Sequence, residues 1–418
     1  MISADEALAQ VLGSVARLGV ERVPLRDALG RILAEEIRSD RDIPGFDNSA
    51  MDGYAVRAAD VAGAAERTPR RLKVLETVAA GSMPTMRVNT GEAVRIMTGA
   101  PVPQGADSIV PVERTRSSED MVEIKAASAH SEFVRPRGED LRTGEMVMEP
   151  GKRLSPSDIG MLASLNHAMV DVWRRPRVSI VSTGDELVDV DQAPSGAQVV
   201  NSSAYALAAA VEEVGGEAVI LKVARDTPDE IRARLSEAAA LDAVLSTGGV
   251  SAGDFDHVKV LLDELGMRTL FHGVAQKPGR PLKYGLINQR PVFGLPGNPV
   301  STLVCFYLYV RPALLKMGGH SALGLPRVTA RCASDVKTAN NLTEFVRVKL
   351  ERRGGDFYAA SAGSQGSNIL SGLSRADGLL IGPARETVLK AGFQATVLLL
   401  SPLVGEAEVG FEEFRRFH

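Results

Sequence analysis

Among its 418 residues the chain has two cysteines, one tryptophan and six histidines, and each scarcity excludes something. Cys305 and Cys332 stand in apolar or strand-like surroundings without metal-ligand spacing, so buried free thiols are expected instead of a disulfide. The histidines are scattered, with no Ser-His-Asp or Cys-His arrangement, which argues against covalent catalysis. No apolar run approaches the roughly 20 residues that span a bilayer; the longest is 300–310. An excess of one charge is also missing. The net charge of -4 gives no global attraction to nucleic acid or anionic membrane, so any anion site is local. Residues 3–18 carry Asp5 and Glu6 and lack the basic-then-apolar pattern of a secretory signal. A reducing, cytoplasmic location is the expectation.

What is there is an ordinary globular composition, 44% apolar and 24% charged, over a length that suggests two to four domains. Residues 3–19 read as a helix, with Ser3 as N-cap and Glu6 three positions later. Short alternating runs at 72–75 and 93–97, broken by Gly, Pro and Asn, make 43–142 a small β-rich domain. A helix follows Pro156 through 166. Strands at 178–181, 218–223, 243–245 and 291–295 then alternate with helices over about 202–214, 227 onward, about 256–265, and after Pro299. Thr227-x-x-Glu230 opens the second of these as a capping box. Such alternation predicts a doubly wound, mainly parallel α/β domain. A linker from Gly318 to Pro326 precedes 328–400, which reads as a small β-barrel or sandwich.

Ligands of open α/β sheets sit beyond the C-terminal strand ends. Three polar, Gly-rich loops fall there: Ser182-Thr183-Gly184-Asp185-Glu186, Ser246-Thr247-Gly248-Gly249-Val250-Ser251 and Leu295-Pro296-Gly297-Asn298-Pro299. Backbone N–H groups and helix dipoles at such loops suit a phosphate or pyrophosphate. Each alone is common turn chemistry, and Asn298-Pro299 is equally an N-cap with Pro at N1. Asp185, Glu186, Asp226 and Asp256 fall on or beside the same edge. Carboxylates near phosphate repel it unless a divalent cation such as Mg²⁺ intervenes. Asp226 and Asp256 could instead cap helices, and Glu186 could be solvated. Lys277-Pro278-Gly279-Arg280-Pro281 and Arg135-Pro136-Arg137 place cations on loops stiffened by proline, as anion clamps do.

One further string, Pro44-Gly45-Phe46-Asp47-Asn48-Ser49-Ala50-Met51-Asp52-Gly53-Tyr54-Ala55-Val56, is small and polar enough to predict a loop, with Gly45 and Gly53 supplying unusual backbone angles. It closely resembles the signature near the N-terminus of the molybdopterin molybdenumtransferases, the family that includes gephyrin's C-terminal domain. Ile96-Met97-Thr98-Gly99-Ala100, Arg135-x-Arg-Gly-Glu-Asp140, the 182–186 loop, Gly248-Gly-Val-Ser-x-Gly-Asp-x-Asp256, Lys277-Pro-Gly-Arg280 and 295–299 follow in the family's order, across nearly the whole chain.

The resemblance implies an enzyme that inserts molybdenum from molybdate into adenylylated molybdopterin, assisted by Mg²⁺, with AMP leaving. It implies a homodimer of four-domain subunits: a discontinuous linking domain (1–42 and 143–174), a small β-rich domain (43–142), an α/β domain (175–318) and a C-terminal β-barrel (327–418). The active site would join the α/β domain of one subunit to the small domain of the other. Asp52, Thr98 and Asp140 would serve catalysis, with Arg135 nearby. Asp185, Glu186, Asp226 and Asp256 would bind metal or orient the phosphate and attacking oxygen. Thr183, Gly184, Gly248, Gly249 and Ser251 would cradle the ligand, Lys277 and Arg280 would hold molybdate or phosphate, and Pro296, Gly297, Asn298 and Pro299 would shape the floor. Transient contacts with a molybdopterin adenylyltransferase and with molybdoenzymes are further expectations. The chain departs from some relatives at Gly273, where they carry a basic residue, and at Arg280, where lysine is commoner. The alternatives are adenylyl transfer by 178–316 alone, which leaves the opening signature unexplained, and a gephyrin-like protein-binding scaffold, which has no need of the carboxylates.

Overall fold

Ser3 and Glu6 form the capping box that the sequence announces: the Ser3 hydroxyl accepts the Glu6 N–H at 3.2 Å, and the Glu6 carboxylate accepts the Ser3 N–H at 2.7 Å. The helix they open is Ala4–Ser14 and stops well before residue 19. The computed structural model describes residues 1–248, 257–339 and 341–401. They divide into two compact units, one made of 35–150 and 157–168, the other of 1–34, 151–156 and the chain from 169 onward.

The smaller unit is built on a six-stranded sheet in the order Ser108–Pro111, Gly53–Val56, Glu92–Ile96, Arg70–Val78, Met121–Ile124, Thr115–Ser118. The opening signature is therefore not all loop, as its composition suggested. Asn48–Ser49 and Gly53–Val56 are strands, and Gly53–Val56 is buried throughout. Gly53 is there for closeness and not for an unusual φ, because a Cβ on it would strike the Val110 carbonyl of the neighbouring strand.

In the larger unit, Glu217–Ile220, Arg177–Ser182, Ala243–Thr247 and Arg290–Leu295 run parallel side by side, and Lys283–Ile287 and Arg268–His272 extend the sheet antiparallel. Ala243–Thr247, and Arg177–Ser182 beyond its first residue, are buried along their whole length, as strands covered on both faces must be. The chain enters the sheet at its second strand and winds outward to either side, so a topological switch point lies between Arg177–Ser182 and Ala243–Thr247. Thr227 stands at the N-cap of helix Pro228–Ala238 without a side-chain bond to it, and Glu230 accepts the Arg225 N–H at 3.1 Å instead. The expected reciprocal box does not form.

The helical stretch Pro299–Met317 is long and apolar enough to cross a membrane by length and composition, but it lies 72% buried within the protein. It supplies much of the main apolar core through Val304, Phe306, Val310 and Leu314. Residues Phe306–Val310 form a π-helical turn between two α-helical segments. Beyond it, Thr343–Arg353, Asp356–Ser361, Arg327–Cys332, Gln394–Leu399 and Gly378–Gly382 close into a barrel, the last pairing back onto the first. Gln276–Lys277 joins this barrel as a parallel edge strand. Cys305 and Cys332 are buried free thiols.

Candidate active site

Three of the polar loops meet at the switch point. Thr183, Glu186, Thr247, Gly248, Pro296, Gly297, Asn298 and Pro299 line one cavity of about 610 Å³. Short backbone links hold the loops in register: Thr183 N–H to Thr247 O at 3.3 Å, Gly184 N–H to Ala224 O at 3.2 Å, and Gly248 N–H to Leu295 O at 3.3 Å. Gly248 has φ +89° and lies so near Thr183 that a Cβ would stand 3.0 Å from its carbonyl oxygen. Only glycine fits both demands.

The cavity wall also includes Asn201, Ser202 and Ser203, which the sequence reasoning missed. Asn201 caps helix Ser202–Glu213 through the Ala204 N–H. Its side-chain oxygen also accepts the Ser182 hydroxyl at 3.2 Å, and Ser182 in turn accepts from Thr247 at 2.9 Å. An N-cap Asn before a helix was the available signal. Helix Pro299–Cys305 begins at the same cavity with Pro at N1, but the Asn298 amide donates to Ser367 at 3.1 Å and does not cap. Thr302 holds that turn by donating to the Asn298 carbonyl at 3.0 Å. Two helix N-termini thus face one space, which favours an anion although no lysine or arginine stands in the lining among the described residues.

The carboxylates sit at its edge. Asp185 and Asp226 bond reciprocally: Asp226 N–H donates to Asp185 Oδ1 at 3.1 Å, and Asp185 N–H to Asp226 Oδ2 at 3.4 Å. Asp226 therefore faces its counterpart and does not cap the next helix. Two like charges are brought together, with the second oxygen of each outside the pair. Glu186 folds over Gly184, its carboxylate where a Cβ would otherwise be, 2.5 to 2.8 Å from that position. Among the described residues no group of three or more His, Cys, Asp or Glu could hold a metal by itself. Gly249, Ser251 and Asp256 lie outside the described residues.

The Lys277–Arg280 loop borders the same space through Pro281, while Lys277 and Arg280 themselves do not line it. Lys277 is spoken for: its Nζ lies 2.9 Å from Glu344 Oε1, on the barrel strand that its own strand pairs with. Glu344 Oε2 and, close by in sequence, Arg347 Nε are buried without hydrogen-bond partners. Neither residue was singled out from sequence, though a Glu and an Arg interleaved with the apolar Phe345, Val346 and Val348 of strand Thr343–Arg353 were the clue. Arg280 Nε rests 3.2 Å from the Met1 sulfur, and Met1 also covers Gly273, so a thioether side chain fills the space beside that glycine. Behind the loop, Tyr309 of the π-helical turn donates to Gln276, whose amide donates to Pro278 O at 3.0 Å, and Gly279 packs on Cys305.

In the smaller unit the expected motifs also converge. Thr98 donates to Asp52 Oδ1 through its N–H at 2.7 Å and its hydroxyl at 2.8 Å. The Thr98 N–H, then its hydroxyl, hold the Asp52 carboxyl below the usual carboxylate range. Arg137 N–H donates to Asp47 at 2.7 Å, Arg135 pairs with Asn48, and Asp140 N–H donates to Ile43 O at 2.9 Å. Asp52, Thr98, Arg135 and Asp140 are exposed there.

Three family models match the chain in succession: the MoeA N-terminal region (domain I and II) over residues 2–166, a probable molybdopterin binding domain over 179–316, and the MoeA C-terminal region (domain IV) over 329–400. A molybdopterin molybdenumtransferase of Nostoc sp. is 37% identical over 387 residues, 91% of this chain and 88% of the relative. One of Bacillus subtilis is 34% identical, covering 96% of this chain and 94% of its own length. The crystal structure of a molybdopterin biosynthesis moeA protein from Pyrococcus horikoshii OT3 is 32% identical with a TM-score of 0.80, covering 96% of this chain and 100% of that one.

Proposed function

The chain belongs to the molybdopterin molybdenumtransferase family, and from that premise we propose that it inserts molybdenum from molybdate into adenylylated molybdopterin, releasing AMP with the help of Mg²⁺. The observation that carries the reading is the switch-point cavity, where two helix N-termini and the Thr183, Gly248 and Pro296–Pro299 loops meet. Backbone N–H groups and helix dipoles hold the substrate's phosphates there without bringing a competing cation. The Asp185–Asp226 pair at the edge fits Mg²⁺, which is commonly held by one or two carboxylates together with substrate phosphate oxygens. Asp185 and Asp226 would hold the ion, and it would supply charge neutralisation to the substrate's phosphates. Glu186 and Asp256 complete the acidic edge in this proposal, and Asp256 rests on the sequence motif alone.

Molybdate is assigned to the Lys277–Arg280 loop, where Arg280 offers a planar fork of donors and Lys277 shares its charge with Glu344. In the proposed homodimer, Asp52, fixed as an acceptor by Thr98, and Asp140 supply carboxylates to the reaction at the other subunit's α/β domain. The proposal includes a cytoplasmic homodimer that transiently meets its substrate-supplying and cofactor-receiving proteins. The buried free thiols support a reducing compartment; sedimentation velocity tests the dimer.

The deciding experiment measures AMP release from adenylylated molybdopterin and Mg²⁺, with and without molybdate, for the wild type and a folded Asp52→Ala variant. Molybdate-stimulated release that the variant loses is the expected result. No release from the wild type sinks the proposal, and consumption of ATP with free molybdopterin would replace it by adenylyl transfer.

A further inference from the structure

A second cavity, of about 520 Å³, shares no lining residue with the first. Its lining joins the apolar surfaces of Tyr307, Leu325 and Leu400 to the basic side chains of Arg153, Arg311 and His320. Among the described residues neither arginine makes an ion pair with a carboxylate. The one hydrogen bond of the Arg311 side chain goes from Nη1 to the Leu323 carbonyl, at 3.0 Å. The Arg153 guanidinium lies across Gly30, 3.7 Å from where a Cβ there would be. Glu213 at the rim attracts Arg311 from a distance and does not bond to it.

The arrangement is costly as it stands. Burial pulls the Arg311 pKa down, the mark of a charge removed from water without full compensation. His320 is pushed down to about 4, by burial first and then by Arg153 and Arg311. Its imidazole is neutral at pH 7 and can donate one N–H. Two guanidiniums and an imidazole donor beside an apolar wall make a receptor for an anionic head on an apolar body. We propose that this cavity binds a small organic anion, with its carboxylate or phosphate between Arg153, Arg311 and His320 and its apolar body against Tyr307, Leu325 and Leu400.

The test follows the His320 ring by NMR in the full chain, assigned by loss of the signal in His320→Gln, with benzoate, phenyl phosphate and neutral benzyl alcohol as probes. Benzoate or phenyl phosphate is expected to shift the ring signal saturably and to raise the His320 pKa from about 4 toward its ordinary 6.5. Arg153→Met and, separately, Arg311→Met should each weaken the anion about tenfold, the value of one charge-assisted contact. Arg153 is exposed, so its variant remains informative should the Arg311 variant fold poorly. The proposal is overturned by an unmoved ring signal with both anions, by benzyl alcohol saturating as well as benzoate, or by binding that both arginine variants keep. It is also overturned if His320 titrates near 6.5 with no probe added.

Discussion

The two cavities of the larger unit are similar in size and opposite in how they meet charge. Among the described residues the first has one charged lining residue, Glu186, and no lysine or arginine, and its attraction for anions comes from helix N-termini and turn N–H groups. Among the described residues the second has two arginines and His320 in its lining, with Glu213. A site made of backbone dipoles is cheap to keep empty, because its N–H groups can be hydrated and carry partial charge only. A site made of guanidiniums stores an electrostatic cost that shows on its neighbours, here on His320. In the proposed reading this difference is the reason the first takes a cation at its edge for a multiply charged phosphate and the second does not.

The comparison breaks most visibly at the acidic edge. Asp226→Asn, like Asp185→Asn, is expected to lower molybdate-dependent AMP release by about a hundredfold, in the range of losing one preorganised charge contact. Removing a charge from the Asp185–Asp226 pair should leave the melting temperature unchanged or raise it, because like-charge repulsion is relieved. Steady-state assays across Mg²⁺ concentrations, with thermal melts of the same samples, check both halves. Full activity with unchanged Mg²⁺ dependence would remove that residue from the mechanism.

Next in size is Gly248→Ala. The substitution forces φ +89° on a residue with a Cβ and presses it to 3.0 Å from the Thr183 carbonyl. A loss of about 1–3 kcal/mol is expected from that strain, read by denaturant unfolding. Activity should fall with it, since the loops on both sides of the cavity shift. Tyr309→Phe is expected to do less. It removes the hydroxyl that braces Gln276 beneath the Lys277–Arg280 loop, at a cost of about 1–2 kcal/mol for an unpaired buried amide oxygen. The KM for molybdate should rise several-fold while kcat stays near the wild-type value. An unchanged KM would show that the loop holds its shape without the π-helical turn.

How much of this was legible in the sequence follows from how local each feature is. The α/β domain, its strand-end loops and the Asp185–Asp226 edge depend on short runs of residues, and the sequence placed them. The barrel was legible as a β region, and its closure by Gly378–Gly382 onto Thr343–Arg353 was not. Composition misled at the opening signature, where the small polar run leads into the buried strand Gly53–Val56, whose Gly53 lies against Val110. It also gave no sign that Lys277 pairs with Glu344, a residue 67 positions away brought near by a strand pairing. The expected capping box at Thr227 failed for a nearby reason, since Glu230 found the Arg225 N–H first. The second cavity draws on residues 30, 153, 213, 307–326 and 399–401, a set with no motif to announce it.

The smallest effect is also the most specific to the second cavity. His320 has a folded pKa of about 4 against an ordinary 6.5, so between those values the unfolded chain binds a proton that the folded chain refuses. Stability from this group is fully present above pH 6.5 and is lost as the pH falls toward about 4, below which the loss is complete. The imidazole is partly exposed, and solvent screening reduces the effect below what the shift alone implies. Denaturant midpoints of the wild type and His320→Gln, measured across this window, should converge as the pH falls, because the variant has no proton to refuse. Adding benzoate should flatten the wild-type slope by raising the folded pKa, and it should leave the His320→Gln slope unchanged. A wild-type slope indifferent to both the variant and the anion would mean that His320 and the two arginines do not share an electrostatic environment. The contrast between a dipole-lined and a charge-lined cavity would then fail at its second member.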